Sequence, residues 1–190
     1  MFEQLTQLVK QFGGDAVVNN AAVPNEQNEA VMDHASGSIL DSLKNIASQG
    51  GGADLIGSLF QGNNAADASN PVVQQITEQL TGSLGEKFGL SSDAASGVAG
   101  SLIPKVLGSL IGGAKDPNNP GIQISDVIGA ISGGNSSAGG GIMDAITKYG
   151  GQFGLDQDGD GQVGMSDAVA AVSGKGGGFL GGLLGKLFGK

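Results

Sequence analysis

PVVQQITEQLTGSLGEKFGLSSDAASGVAGSLIPKVL, residues 71–107, is the stretch that decides the fold. Val72, Val73, Ile76, Leu80, Leu84 and Phe88 recur at the three- and four-residue spacing that lines one face of a helix. Pro71 opens the segment at a position where its missing N–H is harmless, and Gly89 closes it. Ser91 or Ser92 then supplies an N-cap for a second helix, which carries Ala95, Val98, Leu102, Val106 and Leu110 on one face. Pro104 sits inside that pattern and is expected to kink or split it, because it removes a backbone donor and crowds the preceding turn.

Working outward, the same spacing recurs and strand-like alternation is hard to find. Phe2, Leu5, Leu8, Val9 and Phe12 mark a first amphipathic helix, stopped by Gly13 and Gly14. Pro24 opens a second, lined by Met32, Ala35, Ile39, Leu43 and Ile46 and ended by the glycines at 50–52. Leu55, Ile56, Leu59 and Phe60 predict a short helix before a polar loop from Gly62 to Asn70. Residues 115–121, with two prolines, read as a linker. Ser125 is expected to cap a short helix through Val127, Ile128 and Ile131, and Gly133 to Gly141 to break the chain. Ile142, Ile146, Tyr149 and Phe153 form the last apolar stripe before an acidic loop. The expected class is all-α: a bundle of short, glycine-broken helices, a C-terminal EF-hand-like helix–loop–helix and an amphipathic tail.

The text from Leu84 to Ser96, followed by Leu102-Ile103-Pro104-Lys105-Val106-Leu107, resembles the YidB-like family of bacterial helical domains. Such domains have a helix, a Gly-hydrophobic-Ser turn and a helix interrupted by Leu-x-Pro-Lys. The resemblance covers about residues 1–118 and implies an all-helical fold and a bacterial origin. It brings no catalytic residue, since no function is established for the family. The expected organisation is a YidB-like domain over 1–118, a short helix and Gly-rich linker over 119–141, a calcium module over 142–173, and a spacer with amphipathic tail over 174–190.

Composition narrows the function. A chain of 190 residues can bury roughly 70% of its unfolded surface. With 37 glycines, seven Phe, one Tyr and no Trp, that core must come from Leu, Ile, Val and Ala. The net charge is −9, and all nine basic residues are Lys, so the bidentate phosphate grip of Arg is missing and nucleic-acid binding is not expected. Without Cys there is no disulfide and no thiolate chemistry. The first eight residues lack a basic n-region and an apolar h-region, so they do not read as a conventional cleavable signal peptide. No uninterrupted apolar run approaches the roughly 18 residues of a membrane span.

The strongest chemical signal is DQDGDGQVGMSD, residues 156–167. Asp156, Asp158 and Asp160 stand at positions 1, 3 and 5 of an EF-hand loop, where side-chain oxygens face a hard cation. Gly161 stands at the sharp turn of position 6. Gln162 at position 7 would offer its backbone carbonyl, Gly164 at position 9 would act through water, and Asp167 closes the loop at position 12. Val163 is the apolar residue that ties such a loop to a core. Asp167 stands where sensor EF-hands have Glu; its shorter side chain reaches the metal less easily in bidentate fashion. An Asp there resembles the loops of dockerin modules, which are extracellular and calcium-stabilised. Dockerins pair two loops and this chain has one, so docking to a cohesin is not implied. The plain alternative is a solvated Asp-Gly turn. Four Asp at the right offsets favour Ca²⁺, with affinity expected at roughly 10⁻⁵–10⁻³ M, as in sites outside the cytosol.

The tail FLGGLLGKLFGK, residues 179–190, resembles short cationic membrane-active peptides. As a helix it would place Leu180, Leu183, Leu184 and Leu187 on one face and Lys186 and Lys190 on the other. A groove on a neighbouring copy is the favoured destination, its own core the next, and a membrane surface the least favoured. His34 is the lone histidine, so neither a triad nor a catalytic zinc site can be assembled. Asp41, Asp54 and Glu86 could pair as carboxylates, but sugar-binding aromatic platforms are missing. The glycines near 50 and 139 lack the Lys-Ser/Thr of a phosphate loop.

Two readings follow. The first is a non-enzymatic, calcium-binding structural protein, extracellular or at the cell surface, whose apolar ends (Phe2 to Phe12 and Phe179 to Phe188) connect like copies into a homo-oligomer or filament. The alternative is a soluble cytoplasmic YidB-like protein, whose single loop modulates binding to another partner. The first is favoured by the loop's expected weakness, the second by the missing signal.

Overall fold

Among its described residues the computed structural model has seven α-helices: α1 (Phe2–Gly13), α2 (Asn28–Ser48), α3 (Gly52–Leu59), α4 (Pro71–Phe88), α5 (Ser92–Lys115), α6 (Ile124–Ile131) and α7 (Ser136–Gly150). The structure describes residues 2–61, 63–116, 119, 121–134 and 136–150. The fold is all-α, and no strand occurs among the described residues.

The decisive stretch behaves as its sequence dictates. Asn70 accepts a hydrogen bond from the Val72 N–H at 2.9 Å, Pro71 takes the first helical position, and α4 runs to Phe88. Gly89 ends it at φ +66°, a left-handed conformation that costs glycine nothing and other residues about 1 kcal/mol. Ser91 caps α5 by accepting from the Ala94 N–H at 3.3 Å. Leu80 and Leu84 on α4, and Leu102, Ile103, Val106 and Leu107 on α5, are all fully buried where the two helices pack together.

Pro104 neither splits nor ends α5. The bond it removes would have gone to the carbonyl of Gly100, which is exposed and can turn to water, while its apolar neighbours hold the helix in the core. α5 is also long and apolar enough to cross a membrane by length and composition. Its apolar face, however, is the centre of this core.

α1 packs on α2 and α5 with Leu5 and Val9 fully buried. The stripe from Phe2 to Phe12 expected to connect copies is therefore mostly internal, leaving Phe2 as its exposed end. α1 ends at Gly13, as expected, but the chain does not turn away there. It continues in one π-helical turn, Gly14–Val18, that buries Ala16 and Val17. Pro24 precedes a 3₁₀ turn, Asn25–Gln27, and α2 itself begins only at Asn28. The polar loop after α3 holds another such turn, Asn64–Ala66, which packs Ala65 beneath α5.

The C-terminal end departs further from expectation. Helix α6 starts at Ile124 with Gln123 at its N-cap and no side-chain cap bond, so Ser125 lies within the first turn. The earlier start brings Ile124 onto the core face beside Val127, Ile128 and Ile131. The glycine stretch 133–141 breaks the helical pattern at Gly133 and Gly134, which have positive φ, whereas residues 136–141 lie within α7. Ile142 and Ile146 on α7 belong to the same core as Leu5 and Leu80.

Candidate functional site

Asp156, Asp158, Asp160, Gln162, Gly164 and Asp167 lie outside the described residues, as do Phe153, Val163, Val169 and the segment 174–190. What the structure describes is the helix that leads towards that loop. α7 ends at Gly150, six positions before Asp156. It is seated through Ile142, Ala145 and Ile146, all buried, mainly against α3. The contact depends on a glycine: a Cβ at Gly57 would stand 2.8 Å from the Ala145 Cβ, closer than carbon atoms approach. On the other side of the crossing a Cβ at Gly141 would rest 3.6 Å from that of Ala53, an ordinary contact. Small residues thus bring two backbones together where larger ones would hold them apart.

Among the described residues no three His, Asp or Glu side chains gather closely enough to hold a metal ion. Asp41, Asp54 and Glu86 stand exposed on three different helices, α2, α3 and α4. In comparisons with known proteins, no family model, no curated protein and no solved structure matches this chain.

His34 has more company than its isolation in the sequence implied. It bridges α2 to α4: Nε2 lies 3.0 Å from the Ser83 hydroxyl and 3.3 Å from that of Ser38. Nδ1 lies 3.4 Å from the Lys87 ammonium, and the ring tilts against Phe88 with centroids 5.5 Å apart. An ammonium only donates, so Nδ1 accepts and Nε2 carries the proton. Ser83 donates its own proton to the Leu80 carbonyl, leaving its oxygen to accept from Nε2–H. Burial first, and the Lys87 charge second, lower the His34 pKa from its ordinary value. The basic nitrogen therefore faces a cation, and the serine proton is already engaged with backbone. That geometry ties two helices together and does not activate a nucleophile.

About two turns further along α2, Ser42 donates to the Gln79 side-chain oxygen at 2.6 Å, a second polar tie across the same helix pair. Sequence reasoning missed both ties. The helical offsets 34/38 and 83/87 place each pair on one face, yet nothing in one dimension says that these two faces meet.

Proposed function

We propose that this chain is a non-enzymatic, calcium-binding structural protein that assembles with itself outside the cell. The observation that carries the reading is the donor set of residues 156–167: carboxylates at positions 1, 3, 5 and 12 around the turn glycine Gly161. Four carboxylates within a few ångströms repel one another unless a cation neutralises them, so a loop of this composition suits a hard divalent ion. Asp156, Asp158, Asp160 and Asp167 would hold Ca²⁺ with side-chain oxygens and Gln162 with its carbonyl. The ion's role would be to close the loop and fix its flanks, and no reaction is required of it.

The helix preceding the loop supports the reading, because α7 is seated in the body through Ile142, Ala145 and Ile146. Closing the loop would extend order outward from a fixed helix. The expected affinity, roughly 10⁻⁵–10⁻³ M, suits extracellular calcium and leaves the loop mostly empty at resting cytosolic levels. A helix, a Gly89-Leu90-Ser91 turn and a second helix carrying Leu102-Ile103-Pro104-Lys105 are in keeping with the YidB-like resemblance of residues 1–118.

Light scattering on the full chain tests assembly. Millimolar calcium should raise the scattering of the wild type, a chelator should reverse the rise, and Asp156→Ala should not respond. A wild type that stays monomeric with calcium at high protein concentration contradicts self-assembly.

A further inference from the structure

Helices α6 and α7 border a shallow, open groove of about 330 Å³, with Ile128, Met143, Ser125 and Ser132 among its lining and Gly129, Gly139 and Gly140 along its walls. No charged side chain among the described residues lines it. The glycines here differ from Gly57. A Cβ at Gly129 or Gly140 would meet no atom within 4 Å, so packing of the body does not require glycine at either place. Their effect is to leave helix backbone bare along the walls, where an incoming ridge of large apolar side chains can approach closely.

Two exposed acids lie close by in sequence. Asp126 and Asp144, each next in sequence to a groove-lining residue, are exposed. Residues 179–190 have the complementary character: Phe179, Leu180, Leu183, Leu184, Leu187 and Phe188 with two lysines and no acid. At helical spacing the leucines share one face, and Lys186 and Lys190 fall on the other. Such a segment can lay its leucines over Met143 and the bare glycine backbone while offering its lysines to the exposed Asp126 and Asp144.

Reach decides between this chain's tail and a neighbour's. The groove wall α7 ends at Gly150, and 28 residues, 151–178, separate it from Phe179. Fully extended at ~3.3 Å each they would span ~90 Å, far more than needed to double back onto α7. A tether of that length holds its end at an effective concentration in roughly the millimolar range, above that of a neighbour in dilute solution. We propose that the α6–α7 groove is the docking site for the chain's own C-terminal segment, residues 179–190. The assignment stands whether or not the chain binds calcium or assembles.

The chain lacks Cys, so crosslinking can be placed at will. The full chain carrying Gly140→Cys with Leu183→Cys, mildly oxidised at low protein concentration, should form an intramolecular disulfide about tenfold faster than a control pair, as expected for a docked rather than merely tethered segment. The control is Gly97→Cys with Leu183→Cys, since Gly97 is exposed on α5 and a Cβ there also meets nothing. Gly129→Cys on the opposite wall is a second groove probe should Gly140→Cys disturb the fold, judged by circular dichroism. Equal rates for groove and control pairs overturn the assignment. So do disulfides that appear only between chains, which would give the groove to a second copy.

Discussion

Helix pairs α4–α5 and α6–α7 are both hairpins, but they are specified by different means. The first has punctuation at each boundary: Asn70 and Pro71 at its start, Gly89 at φ +66°, and Ser91 accepting from the Ala94 N–H at the start of the next helix. Between those marks Leu, Ile and Val fill a buried seam. The second starts at Gln123 with no side-chain cap and turns through two positive-φ glycines. It reaches the body where Gly57 admits Ala145. Both bury large apolar side chains, but the first adds caps at its boundaries, whereas the second adds glycines at its turn and at its contact with α3. The difference teaches that glycine carries two opposite messages here, a break in the backbone or a contact surface, and only the partner helix tells which.

Substitutions can break or sharpen that contrast. The largest effect belongs to the apolar seam: Leu80→Ala, at a fully buried position on α4, should cost about 3 kcal/mol in urea unfolding through lost burial and a residual cavity. A cost below 1 kcal/mol would mean that the seam is not the main source of stability.

Next come the glycines. Gly57→Val should cost about 2 kcal/mol by overpacking against Ala145. Gly97→Ala, at an exposed position on α5 with no atom near, should instead stabilise by about 0.5–1 kcal/mol. Effects of one sign at both sites would erase the distinction between contact glycines and incidental ones.

The caps give a smaller, paired test. Ser91→Ala should cost about 1 kcal/mol, whereas Gln123→Asp, which adds the cap α6 lacks, should gain about 0.5 kcal/mol. Thermal melting points of the two variants should move in opposite directions.

The smallest effect is a pH dependence at His34. Burial and the Lys87 charge lower its pKa in the fold, so the unfolded chain takes up the proton first. The stabilising contribution of neutral His34 is thus complete above the ordinary imidazole value and is lost as pH falls through it towards the lower folded value. Urea midpoints at neutral and mildly acidic pH should show this step in the wild type and a weaker one in His34→Gln.

Much of the fold was legible because periodicity and capping act locally. Val72 to Phe88, the Gly89 stop and the Ser91 cap can be read without knowing what they pack against. What escaped was set by tertiary partners. Ile124 starts α6 early to reach the core, Gly139 to Gly141 remain helical inside α7, and α5 keeps Pro104 because packing outweighs one lost bond. The ties from His34 to Ser83 and from Ser42 to Gln79 join residues 49 and 37 positions apart, beyond any local pattern. The proposed calcium loop is the reverse case. The proposal rests on donor spacing alone, since residues 156–167 lie outside those the structure describes.

Calcium calorimetry on the full chain, wild type against Asp156→Ala, tests the central claim most directly. The account predicts one calcium per wild-type chain with a dissociation constant of roughly 10⁻⁵–10⁻³ M, lost in the variant. No binding heat from the wild type at millimolar calcium, or equal binding by both proteins, would contradict it.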